Sequence, residues 1–358
     1  MTADRIIRSA TLENFADEEG VPDPALAVPL YAALSAPTVI TGFMAVSPDG
    51  RAMQSRQAGM WNDAQRDAWA RIVAEVRRAR PQVRLIAQLA HTGLQTTRPG
   101  ALSPSGGRSP YFRNRSRAMT ADDIRRVADD FASAAARARQ AGFDGVQIHA
   151  AHGYRVHQFL SPATNRRRDE WGDPGRFLAD ILRAVRDATP RPFALWVKVG
   201  PDAEALTTDR IADALAPLAA DGLFDLAEVS FGTMDRALDI FRGSCPLDLI
   251  LRENPLYRRR VPRLFAPLWK RLAAPILMRR FRPFTPAYNL DAALRAGADS
   301  VSLCRPFLRE PGFAERLRRD PAARSRCANC NRCAIACDGS LPTCCHLSPT
   351  RTNHSNSN

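Results

Sequence analysis

Two histidines three residues apart, His149 and His152, are followed by Tyr154 where a short apolar run, Gly145-Val146-Gln147-Ile148, comes to an end. A β-branched run bounded by glycine reads as a buried strand. Two imidazoles and a phenol at its end make poor core material and good site material. Three chemistries compete for the pair. A metal pair needs further ligands and a setting such as H-E-x-x-H, which is absent here. Core histidines at a strand end would be a costly coincidence. Paired donors could hold a substrate oxygen and lower a barrier by stabilising the charge that develops on it. The donor reading fits best, and His157 falls outside it.

Elements that could position these groups recur along the chain. Apolar runs end near Thr11, Phe43, Leu89, His149, Val199, Phe231, Met278 and Arg305. Amphipathic stretches separate most of them, notably 63–80 and 120–141, the latter opened by a capping box at Thr120 and Asp123 and closed at Ala141-Gly142. Eight strands alternating with helices predict an α/β fold, the (β/α)8 TIM barrel. The polar residues Thr11, Gln88, His149, Lys198 and Arg305 then fall at strand C-terminal ends, the barrel face where active sites are built. Residues 1–313 are assigned to the barrel, 314–347 to a Cys-rich extension and 348–358 to a disordered polar tail. Residues 96–117, rich in Ser, Pro, Gly and Arg, read as a long loop over the substrate.

The stretch 142–172, GFDGVQIHAAHGYRVHQFLSPATNRRRDEWG, resembles the signature of the old yellow enzyme family, the FMN-dependent NAD(P)H:flavin oxidoreductases, and within it the branch that includes dienoyl-CoA reductases. The family pattern G-F-D-G-V-x-I-H-x-A-H-G-Y, then F-L-S-P-x-T-N-x-R-x-D-x-[YW]-G, is matched nearly throughout. The resemblance implies FMN as cofactor, NAD(P)H as electron donor and a small unsaturated carbonyl compound as substrate. It makes His149 and His152 the carbonyl donors and Tyr154 the proton donor to the α-carbon. It places Ala10, Thr11 and Leu12 at the end of the first strand against the flavin. Leu12 offers no hydrogen bond where a Thr or Cys is frequent. Gly42 would let backbone approach the flat ring. Gln88, with donor and acceptor on one amide, would meet the pyrimidine edge. Lys198 would face the ring end that gains negative charge, and Cys304 with Arg305 would lie at the phosphate. His91 is read as structural.

The resemblance breaks near the phosphate. The family's glycine-bearing seventh strand and loop have no counterpart, since no glycine occurs between Gly243 and Gly297. Either 275–278 is that strand, with arginines in place of the loop, or 283–293 precedes a strand that is missing. The alternative to an ene-reductase is therefore a flavin-deficient barrel that serves as a binding or scaffold protein. The chain also ends where a dienoyl-CoA reductase continues into FAD- and NAD(P)H-binding domains, so nicotinamide and substrate are expected to use one flavin face in turn.

A formal net charge of +14 invites a nucleic-acid reading. The basic residues are spread over helices instead of being gathered in one arm, and Lys198 and Lys270 are the only lysines, so no nucleic-acid partner is expected. No apolar run reaches the roughly 18 residues that span a bilayer, and the first residues lack a signal-peptide core. A cytoplasmic protein without a membrane partner is expected, with assembly into a homo-oligomer left open. Six of the eight cysteines, Cys327, Cys330, Cys333, Cys337, Cys344 and Cys345, crowd the C-terminus. Their C-x2-C-x2-C-x3-C spacing is that of iron–sulfur runs. The resemblance implies a [4Fe–4S] cluster, with Cys327, Cys330, Cys333 and Cys344 as its assigned ligands; zinc and free thiols are the other readings.

Overall fold

Period-two alternation in the apolar runs decides how the barrel wall forms. In the computed structural model, residues 5–202, 205–230, 232–234, 247–261, 263–272 and 297–347 are described. The main strands are β1 (Ile6–Arg8), β2 (Thr38–Ile40), β3 (Arg84–Ala90), β4 (Gly145–Ala150), β5 (Ala194–Val199), β6 (Leu226–Val229) and β7 (Val301–Leu303). They pair in the order β6-β5-β4-β3-β2-β1-β7, all parallel, as a nearly closed α/β barrel. The expected seventh strand at 275–278, its alternative at 283–293, the strand end at Phe231 and the tail 348–358 lie outside the described residues.

Alternate residues of each strand face helices or the barrel interior. Leu85, Ala87 and Leu89 of β3, Val146 and Ile148 of β4, and Leu195, Val197 and Val199 of β5 join the main core. Ile7, Ile40, Ile86, Ala194 and Trp196 form a separate inner cluster. Gly145 is required where β4 meets β5, because a Cβ there would lie 2.4 Å from Ala194 O.

The helices are α1 (Pro24–Ala32), α2 (Asp63–Ala79), α3 (Ala121–Gln140), α4 (Arg155–Leu160), α5 (Arg176–Ala188), α6 (Thr208–Ala220), α7 (Leu247–Glu253), α8 (Pro255–Arg260), α9 (Arg305–Arg309), α10 (Phe313–Arg319) and α11 (Arg332–Asp338). The Thr120–Asp123 capping box opens α3 as its sequence requires, and α3 buries Ile124, Val127, Phe131, Ala134, Ala135 and Ala138, a stripe of helical period. Full burial of Phe131 alone stabilises by about 1.5–3 kcal/mol. Phe313, Ala314 and Leu317 of α10 also pack into the main core. The 96–117 stretch is more ordered than a plain loop: Leu102–Ser103, Gly107–Arg108 and Arg115–Ala118 pair into a small ribbon. Among the described residues no helix is long and apolar enough to cross a membrane.

Candidate active site

Above the inner apolar cluster the alternation places polar side chains in the barrel interior. Gln88 Nε2 donates to Gln147 Oε1 at 2.7 Å, and Gln147 Nε2 donates to Glu228 Oε2 at 2.8 Å. Lys198 Nζ donates to Glu228 Oε1 at 3.1 Å and to Ser9 Oγ at 3.0 Å. Ser9 and Ser302 also donate to Glu228 Oε1, at 2.7 and 2.6 Å. Burial by itself raises the Glu228 carboxyl; Lys198, Ser302, Ser9 and Gln147 outweigh it and hold it down at about 2. Two expected residues, Gln88 and Lys198, are thus joined by Gln147 and Glu228, which motif reasoning passed over. The period-two spacing of Leu226, Glu228 and Ser230 was the available signal, with a carboxylate in an otherwise apolar strand.

Two residues beyond Gln147 on β4, His149 lies opposite Lys198. Its hydrogen bonds fix its tautomer. Ala151 N–H donates to His149 Nδ1 at 3.4 Å, so the ring proton of a neutral His149 sits on Nε2 and points to His152 Nδ1, 3.2 Å away. His152 then carries its proton on Nε2 and donates to Ser230 Oγ at 2.9 Å. Both rings are neutral near pH 7: burial, then His152 and Lys198, lowers His149 well below its ordinary value, and burial, then Lys198 and His157, brings His152 to about 3. The two N–H groups therefore form a relay ending on Ser230. His152 has φ +61°, a left-handed value uncommon outside glycine, and Met234 N–H holds its carbonyl at 2.9 Å. Such strain persists only where surrounding contacts determine it.

Tyr154 completes the group. Its ring centroid lies 4.9 Å from that of His149 and 5.3 Å from that of Phe43. Burial, reinforced by Cys337 and Asp338, raises its phenol well above the ordinary value, so the hydroxyl stays protonated. His91 and His157 are structural in placement. Arg155 Nη2 lies 3.2 Å from His91 Nε2, and His157 Nε2 donates to Gly200 O at 3.0 Å; burial lowers each imidazole to about 4.

Beside this mouth a buried ion pair forms a floor. Arg8 Nη2 lies 2.8 Å from Glu13 Oε1, which also accepts from Tyr31 Oη at 2.9 Å and Gly42 N at 3.0 Å. Any Cβ at residue 42 would meet Glu13 Oε2 at 1.9 Å and Thr11 O at 2.5 Å, so only glycine fits. Ala10 packs on the inner apolar cluster and Leu12 is buried. Thr11 Oγ1 and Cys304 Sγ meet at 2.7 Å, and Arg305 Nη1 donates to Asn331 Oδ1 at 2.7 Å.

That last bond leads into the cysteine segment. Cys327, Cys330, Cys333 and Cys345 line one small cavity with Arg305 and His346. Cys345 lines this cavity, whereas Cys344, the fourth residue expected from the sequence, is exposed. Cys337 leaves the set and donates to Leu12 O at 3.6 Å, while Asn14 Nδ2 donates to Cys337 O at 2.8 Å. The segment is thereby docked on the loop that follows β1. Among the described residues no three His, Cys, Asp or Glu side chains converge tightly enough to hold a metal.

Comparison with known proteins decides the lineage. Residues 4–231 match the NADH:flavin oxidoreductase / NADH oxidase family, more than half of the 358 residues. The chain belongs to this family. Among similar members, an NADPH dehydrogenase of Listeria monocytogenes is 38% identical over 164 residues, 44% of this chain and 48% of that protein. An NADPH dehydrogenase of Bacillus subtilis is 34% identical over 166 residues, covering 45% and 48%. The chain spans about half the length of these relatives. An old yellow enzyme homologue from Zymomonas mobilis superposes with a TM-score of 0.66 at 25% identity, covering 89% of each chain. A 2-naphthoyl-CoA reductase, at 19% identity, shares the fold with a TM-score of 0.76 over 96% of this chain and 55% of its own.

The residues of this NADH:flavin oxidoreductase family member fit a flavin ring at one end. Gln88 keeps its Oε1 to accept and Lys198 supplies a buried cation beside the histidine pair, whereas the bare side of Gly42 is filled by Glu13 and Thr11. At the phosphate end, Arg305 is committed to Asn331 and Thr11 to Cys304. Residues 273–296, where a glycine loop is expected, lie outside the described part.

Proposed function

We propose that this chain is an FMN-dependent NAD(P)H oxidoreductase of the ene-reductase type, reducing the C=C bond of an activated enone or enoyl compound. The observation that carries the reading is the His149–His152–Tyr154 group, two neutral N–H donors and a protonated phenol in mutual contact at the end of β4. Gln88 and Lys198 would hold the ring of FMN. When bound, FMN supplies a hydride carrier between the nicotinamide and the substrate β-carbon. His149 and His152 hold the carbonyl oxygen and stabilise the charge that grows on it. Tyr154 delivers a proton at the α-carbon, so hydride and proton together add H2 across the bond.

The iron–sulfur spacing of the C-terminal cysteines is what supports a [4Fe–4S] cluster or zinc on Cys327, Cys330, Cys333 and Cys344; among the described residues the side chains as placed do not converge on a metal position. Burial pushes the Cys333 thiol up to about 12, which argues against a reactive free thiolate. The competing reading, a flavin-deficient barrel, is favoured by the engagement of Arg305 with Asn331.

A turnover assay separates the two. Anaerobic protein supplied with FMN, NADPH or NADH and 2-cyclohexen-1-one is expected to form cyclohexanone in step with nicotinamide oxidation. Nicotinamide oxidation without saturated product would reject C=C reduction.

A further inference from the structure

We propose that Glu228 is a positioning residue that fixes both ring-facing groups at once, Lys198 directly and Gln88 through Gln147, and thereby sets how strongly the site favours a negatively charged ring. The inference rests on the flavin reading above.

The geometry is specific. Oε1 of Glu228 takes Lys198 Nζ, Ser9 Oγ and Ser302 Oγ, and Oε2 takes Gln147 Nε2. Four donors from β5, β4, the end of β1 and β7 thus converge on one carboxylate of β6, which the parallel register sets opposite Lys198. All but half-buried Ser302 are buried, so the interactions are little screened. Lys198 and Glu228 together make the layer neutral. The chain of amides fixes the Gln88 amide, because Nε2 must donate to Gln147 and Oε1 must therefore be the atom left to accept.

A carboxylate that only plugged the barrel could be exchanged for an uncharged group of equal shape with no effect beyond stability. A carboxylate that balances Lys198 cannot. Without it the ammonium is uncompensated, and a ring that becomes anionic on reduction is favoured. Fewer hydroxyl donors on Glu228 act in the opposite sense: the carboxylate turns more fully to Lys198 and withdraws its charge from the ring.

The test measures the two-electron midpoint potential of bound FMN, by equilibration with a reference dye, together with thermal stability. It compares the full chain with Glu228→Gln and Ser302→Ala. Glu228→Gln is expected to raise the potential by at least the equivalent of a tenfold change in the reduction equilibrium, about 30 mV for a two-electron couple. Ser302→Ala is expected to lower it. If Glu228→Gln does not fold, the negative shift in Ser302→Ala carries the test. Unchanged potentials in folded, flavin-bound variants would overturn the positioning role and leave the flavin reading standing. A wild-type chain that takes up no FMN would overturn both.

Discussion

Replacing His149 with Ala is expected to lower kcat/KM for an enone by about 10²–10³, the cost of losing one preorganised oxyanion donor. The same variant should lose little in NAD(P)H oxidation with ferricyanide as acceptor, a reaction that builds no charge on a carbonyl oxygen. His149→Asn, which keeps an N–H donor, should recover part of the loss. The relay geometry adds a finer expectation. His149 Nε2–H is held toward His152 Nδ1 and His152 Nε2–H toward Ser230 Oγ, so His152→Ala should also disorder the ring of His149 and cost as much. The pH profile follows from burial. With both imidazoles lowered, His152 to about 3, neither gains a proton between pH 5 and 8, and the enone kcat/KM should show no inflection near 6.5 from this pair. An inflection there that disappears in His152→Ala would contradict neutral donors.

Glu13→Ala is expected to be the most damaging change to stability. It removes the carboxylate partner of Arg8, and both side chains are almost wholly enclosed, at 1% and 5% exposure. Breaking a buried pair by deleting one partner costs about 3–5 kcal/mol, because the other charge is left uncompensated. Tyr31 Oη and Gly42 N–H lose their acceptor in the same step, and each buried donor left unsatisfied adds about 1–3 kcal/mol. Chemical denaturation should show the loss directly, with a fall in Tm on the order of 10 °C. Glu13→Gln keeps the shape and an acceptor oxygen and should lose less. A loss below about 1 kcal/mol for Glu13→Ala would mean that Arg8 finds another partner.

Much of the site could be read from sequence because its groups interrupt apolar runs. The barrel followed from apolar runs alternating with helical stretches and from polar residues such as His149, Gln88 and Lys198 at the run ends, while the roles given to Gln88 and Lys198 came from the resemblance to a known family. Glu228 and Gln147 obey the same alternation, yet a polar residue inside a strand announces neither its partner nor its purpose. The pairing with Lys198 exists only through the register of β5 and β6. The Arg8–Glu13 pair was equally hidden, since it depends on how the chain turns after β1. Adjacent Cys344 and Cys345 show a third limit: spacing does not tell which of two neighbours faces inward, and here Cys345 lines the cavity while Cys344, the residue expected, is exposed. The ribbon within 96–117 escaped because its strands are two to four residues long, too short for periodicity to register.

The most direct measurement is the visible absorption spectrum of protein purified anaerobically and supplied with FMN, with iron and zinc determined on the same sample. Bands of oxidised flavin that stay with the protein on gel filtration, bleach with NAD(P)H and return with an enone are the expected result. Protein that emerges colourless from gel filtration after incubation with FMN would contradict the account and leave the barrel as a flavin-deficient binding protein.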